Sequence, residues 1–257
     1  MKIGLALAGG GARAIAHLGM MQVLVEHNIT VDRVSGASAG AIAGALFCQG
    51  YEPGEILEIV KHTNFLKVAK PALSWKGLLK LESGYEELLR YLPHDRFEEL
   101  AKPLAISATD IHKGKVKYFK KGQLILPILA SCSIPVVFDP IIINGNAYMD
   151  GGIMDNLPYD PLRKKVDITI GMHCNPIDQK FRSNNWRGLM ERALLLSISN
   201  ATYFNKKRFD AFWEAPGVSQ INVFDFKKAD ELYRMGYSYA QKRVDELLEL
   251  IENPVVK

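Results

Sequence analysis

Apolar and polar positions fall into short blocks along this chain. Lys2–Ala8 is a nearly continuous apolar run of strand length, and from Ala14 to about His27 apolar residues recur at helical spacing. Val31 and Val34 enter a second strand, and the run Ala41, Ile42, Ala43, Ala45, Leu46, Phe47 after it has high helix propensity. Pro53 can open a helix over Gly54–His62, with Ile56, Leu57, Ile59 and Val60 on one face. Further on, Pro103–Asp110 and Lys115–Phe119 read as an antiparallel pair, Ile141–Asn144 and Ala147–Met149 as a hairpin about an Asn-Gly-Asn turn, and Val166–Met172 as another strand. Helices are expected again over Arg187–Phe209 and Lys228–Ile251. Strands alternating with helices predict an α/β fold with a mostly parallel central sheet flanked by helices.

At 257 residues and 48% hydrophobic content the chain suits a single α/β domain. Residues 52–100 break the pattern and are expected to form a helical insertion. Its bulky apolar residues, Phe65, Leu66, Leu73, Trp75, Leu78, Leu79 and Leu81, suit either a lid or acyl-chain groove or a plain cover for the sheet. A net charge of +4 is far from a nucleic-acid-binding composition. Lys113, Lys115, Lys117, Lys120 and Lys121 make one hairpin basic, as a solvated edge or as a contact for anionic lipid. Cys48, Cys132 and Cys174 are scattered, which argues for reduced thiols in a cytoplasmic chain and against a zinc site; no metal or cofactor is expected. The apolar N-terminus is too short for a signal peptide, and Gln123–Gly145, broken by Pro127, Pro135, Asp139 and Pro140, reads as buried helix, turn and strand rather than a membrane span.

The chemistry concentrates at turns. Gly36-Ala37-Ser38-Ala39-Gly40 joins a strand end to a helix start, the pattern of a nucleophile elbow. Small neighbours let the serine adopt strained dihedrals there, beside unpaired N–H groups. The rival reading makes Ser38 a simple N-cap. Gly9-Gly10-Gly11-Ala12-Arg13 is a glycine loop between strand and helix that offers N–H groups to an anion. It lacks the features of a dinucleotide or P-loop site, so a transient oxyanion suits it better. Asp150-Gly151-Gly152 follows the predicted hairpin, with Asp155 a competing carboxylate.

In that order and spacing, these three motifs resemble the patatin-like phospholipase family, specifically its short bacterial members, over about residues 3–175. Ala130-Ser131-Cys132-Ser133-Ile134-Pro135 is similar to the family's apolar segment between nucleophile and acid, whereas Ala14 stands where the family usually closes its first motif with glycine. The resemblance implies a three-layer α/β/α fold and a serine-dependent lipid acyl hydrolase. It implies Ser38 as nucleophile and Asp150 as base, supported by Gly36, Gly40, Gly151 and Gly152. It also implies an oxyanion hole from the backbone of Gly10, Gly11 and Ala12, with Arg13 adding positive potential. A lipid or ester substrate would bring peripheral contact with the inner face of a membrane, although no strongly amphipathic basic helix announces it. Oligomeric state is open, a homodimer included.

Three alternatives stand beside this reading: a Ser38–Asp150–His173 triad, since His173 ends a predicted strand; acyl transfer to an acceptor other than water; and a non-catalytic anion- or lipid-binding module.

Overall fold

The computed structural model describes residues 1–63, 70–74, 77–80, 82–135, 137–179, 181–182 and 186–253. From the N-terminus the chain runs β1 (Ile3–Leu7), α1 (Ile15–Glu26), β2 (Arg33–Ala37), α2 (Ala39–Gln49), α3 (Pro53–His62), β3 (Lys70–Ser74) and β4 (Gly77–Lys80). It continues through α4 (Glu82–Tyr91), β5 (Leu104–Asp110), β6 (Lys115–Phe119), α5 (Ile125–Ser131), β7 (Ile141–Ile143) and β8 (Asn146–Asp150). The remainder is β9 (Ile168–His173), α6 (Trp186–Asn205), β10 (Ala211–Glu214), α7 (Ala229–Gln241) and α8 (Val244–Glu252).

One sheet organises these elements, in the order β10-β9-β1-β2-β5-β8-β7, with β6 also on β5. The first five strands of that order are parallel and β6, β7 and β8 antiparallel. This is the mostly parallel α/β/α arrangement that the alternation of strands and helices predicts. Strand β1 is buried at every residue, because neighbouring strands flank it and helices cover the sheet. Fully buried Leu5, Leu7 and Ile106 each contribute about 1.5–3 kcal/mol of hydrophobic stabilisation. Helix α1 is buried almost all round, with α7 packed along it and the two backbones close at Gly19 and Gly236.

The hairpin Ile141–Asp150 forms as its turn residues dictate, Asn144 and Gly145 both taking positive φ (49° and 76°). One expectation needs correction. The 52–100 region is not all helix: β3 and β4 pair between α3 and α4, where Pro71 and Gly77 disfavour a continuous helix. Between the two expected C-terminal helical stretches the chain also adds a strand, β10, which extends the sheet beside β9. Phe65, Leu66, Trp75 and Leu81 lie outside the described residues.

Register brings two of the motifs together. Strand β2 leaves β5 at the pair Ala37–Ser107, and β8 takes over at Ala108–Asp150. Both lie on the same edge of β5, because β6 occupies the other over Ile106–Asp110. Strands β2 and β8 run in opposite directions, so they meet end to end, with Ser38 just beyond one tip and Asp150 at the other.

Candidate active site

Ser38 occupies the N-cap position of α2 with φ 50° and ψ −127°, a conformation that costs roughly 1–3 kcal/mol and persists only where the surroundings enforce it. The enforcement is close packing. A Cβ on Gly40 would stand 2.3 Å from the Leu7 carbonyl oxygen, and one on Gly36 would stand 2.5 Å from that of Gly40, so only glycine fits this strand-to-helix crossing. The Ser38 N–H donates to Ser131 Oγ at 2.7 Å.

The serine hydroxyl caps no N–H of α2. It lies near enough to the Asp150 carboxylate to favour its charged form, and it acts in the same sense on the Cys132 thiol. This disposes of the simple N-cap reading. Asp150 is itself fixed on three sides. Its Oδ1 accepts from Gly152 N–H at 2.7 Å, its own N–H donates to the Ser133 carbonyl at 2.9 Å, and its carbonyl accepts from Thr109 Oγ1 at 2.9 Å. Burial disfavours the carboxylate and pushes its pKa up to about 6, against the opposing pull of the Gly152 hydrogen bond and the nearby Ser38 hydroxyl. Gly151 is pressed against Ser107, whose carbonyl oxygen would lie 2.3 Å from an added Cβ. Asp155 points elsewhere, accepting from Tyr118 Oη at 2.5 Å.

The glycine loop lies against the serine: a Cβ on Gly9 would be 2.6 Å from that of Ser38. Two asparagines brace it. Asn156 accepts from Gly9 N–H at 3.1 Å and donates to Gly9 O at 3.2 Å, while Asn175 Nδ2 donates to Gly9 O at 2.7 Å. Neither stands out in sequence; the only signal is a lone amide beside a D-G-G turn or at a strand end. Of the N–H groups expected to face an anion, that of Ala12 is already spent on the Val223 carbonyl (2.7 Å) and that of Arg13 on Gly10 O (3.2 Å). Among the described residues the N–H groups of Gly10 and Gly11 donate to no protein acceptor, and that of Ala39, first in α2, has no intrahelical one. Arg13 has a mechanical part beside the positive potential expected of it. Its Nε donates to Ile221 O at 2.6 Å and its Nη2 to Ser219 O at 2.9 Å, so the guanidinium ties the loop to the 219–223 segment.

His173 does not join this group. Its Nδ1 is 2.5 Å from Glu214 Oε1 on β10, its ring packs against Tyr203 and Phe212, and its buried Nε2 has no hydrogen-bond partner. His17 is a core residue with Nε2 donating to Ala8 O at 3.0 Å; burial lowers its pKa to about 4, which keeps it neutral at pH 7.

An apolar cavity of about 140 Å³ opens beside Ser38. Gly11 and Ala39 stand at its reactive end. Ile42, Leu129 and Phe138 line it, and Val60 and Leu88, from the helices that flank β3 and β4, close it. No group of His, Cys, Asp and Glu with metal-binding geometry occurs among the described residues.

A parallel α/β sheet with a strained serine elbow, a buried aspartate and a glycine loop in contact defines a class of serine hydrolase folds. This chain belongs to the patatin-like phospholipase family, whose model matches residues 5–163. It is similar to an NTE family protein of Mycobacterium tuberculosis, with 32% identity over 177 residues, covering 68% of this chain and 49% of that protein. It is also similar to the lysophospholipase NTE1 of Meyerozyma guilliermondii, with 27% identity over 277 residues, covering 93% of this chain and 19% of that protein. The chain therefore spans about a fifth to a half of the length of these curated relatives. Among solved structures the fold is shared with VipD from Legionella pneumophila (TM-score 0.55, 17% identity, 95% of this chain and 66% of that one). The type III effector ExoU of Pseudomonas aeruginosa shares it too (TM-score 0.50, 13% identity, 95% and 53%).

Proposed function

We propose that this chain hydrolyses carboxylic esters of lipids through an acyl-serine intermediate, with Ser38 as nucleophile and Asp150 as general base. The observation that carries the reading is the strained, uncapping Ser38 hydroxyl set beside a buried carboxylate of raised pKa. An ordinary carboxylate is a poor base for a hydroxyl; one pushed to about 6 by burial is better matched to the task and still ionised at pH 7.

Ser38 Oγ attacks the ester carbonyl as its proton passes to Asp150. The resulting oxyanion is met by the N–H groups of Gly10, Gly11 and Ala39. Collapse expels the alcohol, which leaves with the proton from Asp150, and the acyl group stays on Ser38. Asp150 then takes a proton from water, the hydroxide adds to the acyl carbon, and breakdown releases the fatty acid and returns the proton to Ser38. The apolar cavity suits the acyl chain, and its lining by Val60 and Leu88 supports a groove-forming role for the helices around the 52–100 insertion.

Fluorophosphonate labelling and hydrolysis of a short p-nitrophenyl ester test the assignment. Ser38→Ala should abolish labelling and lower turnover by at least about 10³-fold, and Asp150→Asn by about 10²–10⁴-fold. His173→Gln should retain both. Loss of activity in His173→Gln with the fold intact would replace the dyad by a triad, and an inert, unlabelled wild type would favour a binding module.

A further inference from the structure

Helix α6 has two working sides. Its inner side is tied to the site: Ser199 Oγ donates to the carbonyl of Asn175, the residue that braces Gly9, and the helix packs against the Gly151–Ile153 turn that follows Asp150. Its outer side is apolar. Leu189, Leu196 and Phe204 recur at two-turn intervals with Met190 beside them, and all four are exposed, Phe204 to 89%. That stripe is about 22 Å long at 1.5 Å per residue. Exposed Ile153 and Met154 add apolar surface on the Asp150 loop itself.

Charge decides what covers such a surface. Residues 186–208 hold five Lys or Arg against one acidic residue, a net charge equal to the +4 of the entire chain. Arg192 spends a donor on the Asp178 carbonyl and Arg208 pairs with Asp160, whereas Lys207 is exposed at the end of the stripe, three residues beyond Phe204. Two such faces repel each other, while an anionic bilayer attracts the basic rim and dissolves the apolar stripe. The helix carries Glu191 and Arg192 within its first two turns, and no helix among the described residues is long and apolar enough to cross a membrane, so the geometry is that of a helix lying in the interface.

We propose that α6, with Ile153 and Met154, docks the protein on an anionic phospholipid surface, with the turn that follows Asp150 against that surface. The proposal rests on the lipid acyl hydrolase reading for its purpose but not for its test. Flotation with vesicles of phosphatidylcholine, with and without phosphatidylserine, measures docking; turnover of a short soluble ester measures chemistry. Wild type should float with the anionic vesicles at low salt and be released by high salt. Leu189→Ser/Met190→Ser/Phe204→Ser and Lys207→Glu should each weaken flotation by about tenfold or more and leave soluble-ester turnover unchanged. Light scattering reports association between copies. The proposal is overturned if wild type fails to float while hydrolysing the soluble ester, if the triple variant floats like wild type, or if that variant instead dissociates a dimer. Flotation without ester turnover would uphold docking and remove the hydrolase reading alone.

Discussion

Ser131 Oγ accepts the backbone N–H of Ser38 at 2.7 Å, across 93 residues of sequence, and Ser131 is wholly buried near the end of α5. The contact holds the nucleophile's own peptide group, so it acts on the strained dihedrals rather than on the hydroxyl. Ser131→Ala leaves a buried N–H without an acceptor. We expect a stability loss of about 1–3 kcal/mol by thermal unfolding and a fall in kcat with KM little changed. Unchanged kcat would show that close packing at Gly36 and Gly40 holds the elbow unaided.

The Asp150 carboxylate makes activity pH-dependent. With its pKa raised to about 6, kcat/KM for a neutral ester should climb with pH and level off above about 7, the limb being absent from the residual activity of Asp150→Asn.

The same shift acts on stability. An unfolded chain releases the Asp150 proton near pH 4, whereas the folded one keeps it to about pH 6, so stability falls as pH rises between those values and the cost is constant above. Two pH units correspond to about 3 kcal/mol. Relative to wild type, Asp150→Asn should therefore gain stability between pH 3 and pH 8, as chemical denaturation at the two pH values would show.

Arg13 separates an electrostatic role from a mechanical one. Its guanidinium serves two carbonyls at once, which lysine cannot do from the same position. Arg13→Lys should lose about 2–4 kcal/mol of stability despite keeping the charge. Full wild-type stability and activity in Arg13→Lys would return the residue to a purely electrostatic part.

Chain-length preference should follow the cavity wall. Ile42, one turn into α2 from Ser38, lines the cavity and is only partly buried. Ile42→Trp should lower kcat/KM for long-chain esters by about tenfold or more and spare butyrate, a comparison made on a p-nitrophenyl ester series.

Much of this protein is local chemistry and could be read residue by residue. The apolar run Lys2–Ala8, the Asn144-Gly145 turn and the small residues around Ser38 each dictate their conformation within a few positions, because dihedral limits and side-chain periodicity are short-range. The order of the three glycine motifs carried the family resemblance. Sequence could not tell which N–H groups of the 9–13 loop remain open, because the acceptor for Ala12 is Val223, far along the chain. Nor could it foresee Asn156 and Asn175 on Gly9, Glu214 on His173, or Ser131 under Ser38. Helix α6 is the plainest case. Apolar residues lie on both of its sides, so no periodic polar face marks it, and only packing determines which side meets the protein and which is exposed. Strand register decides which distant groups meet, and burial then decides which of them are charged, paired or open.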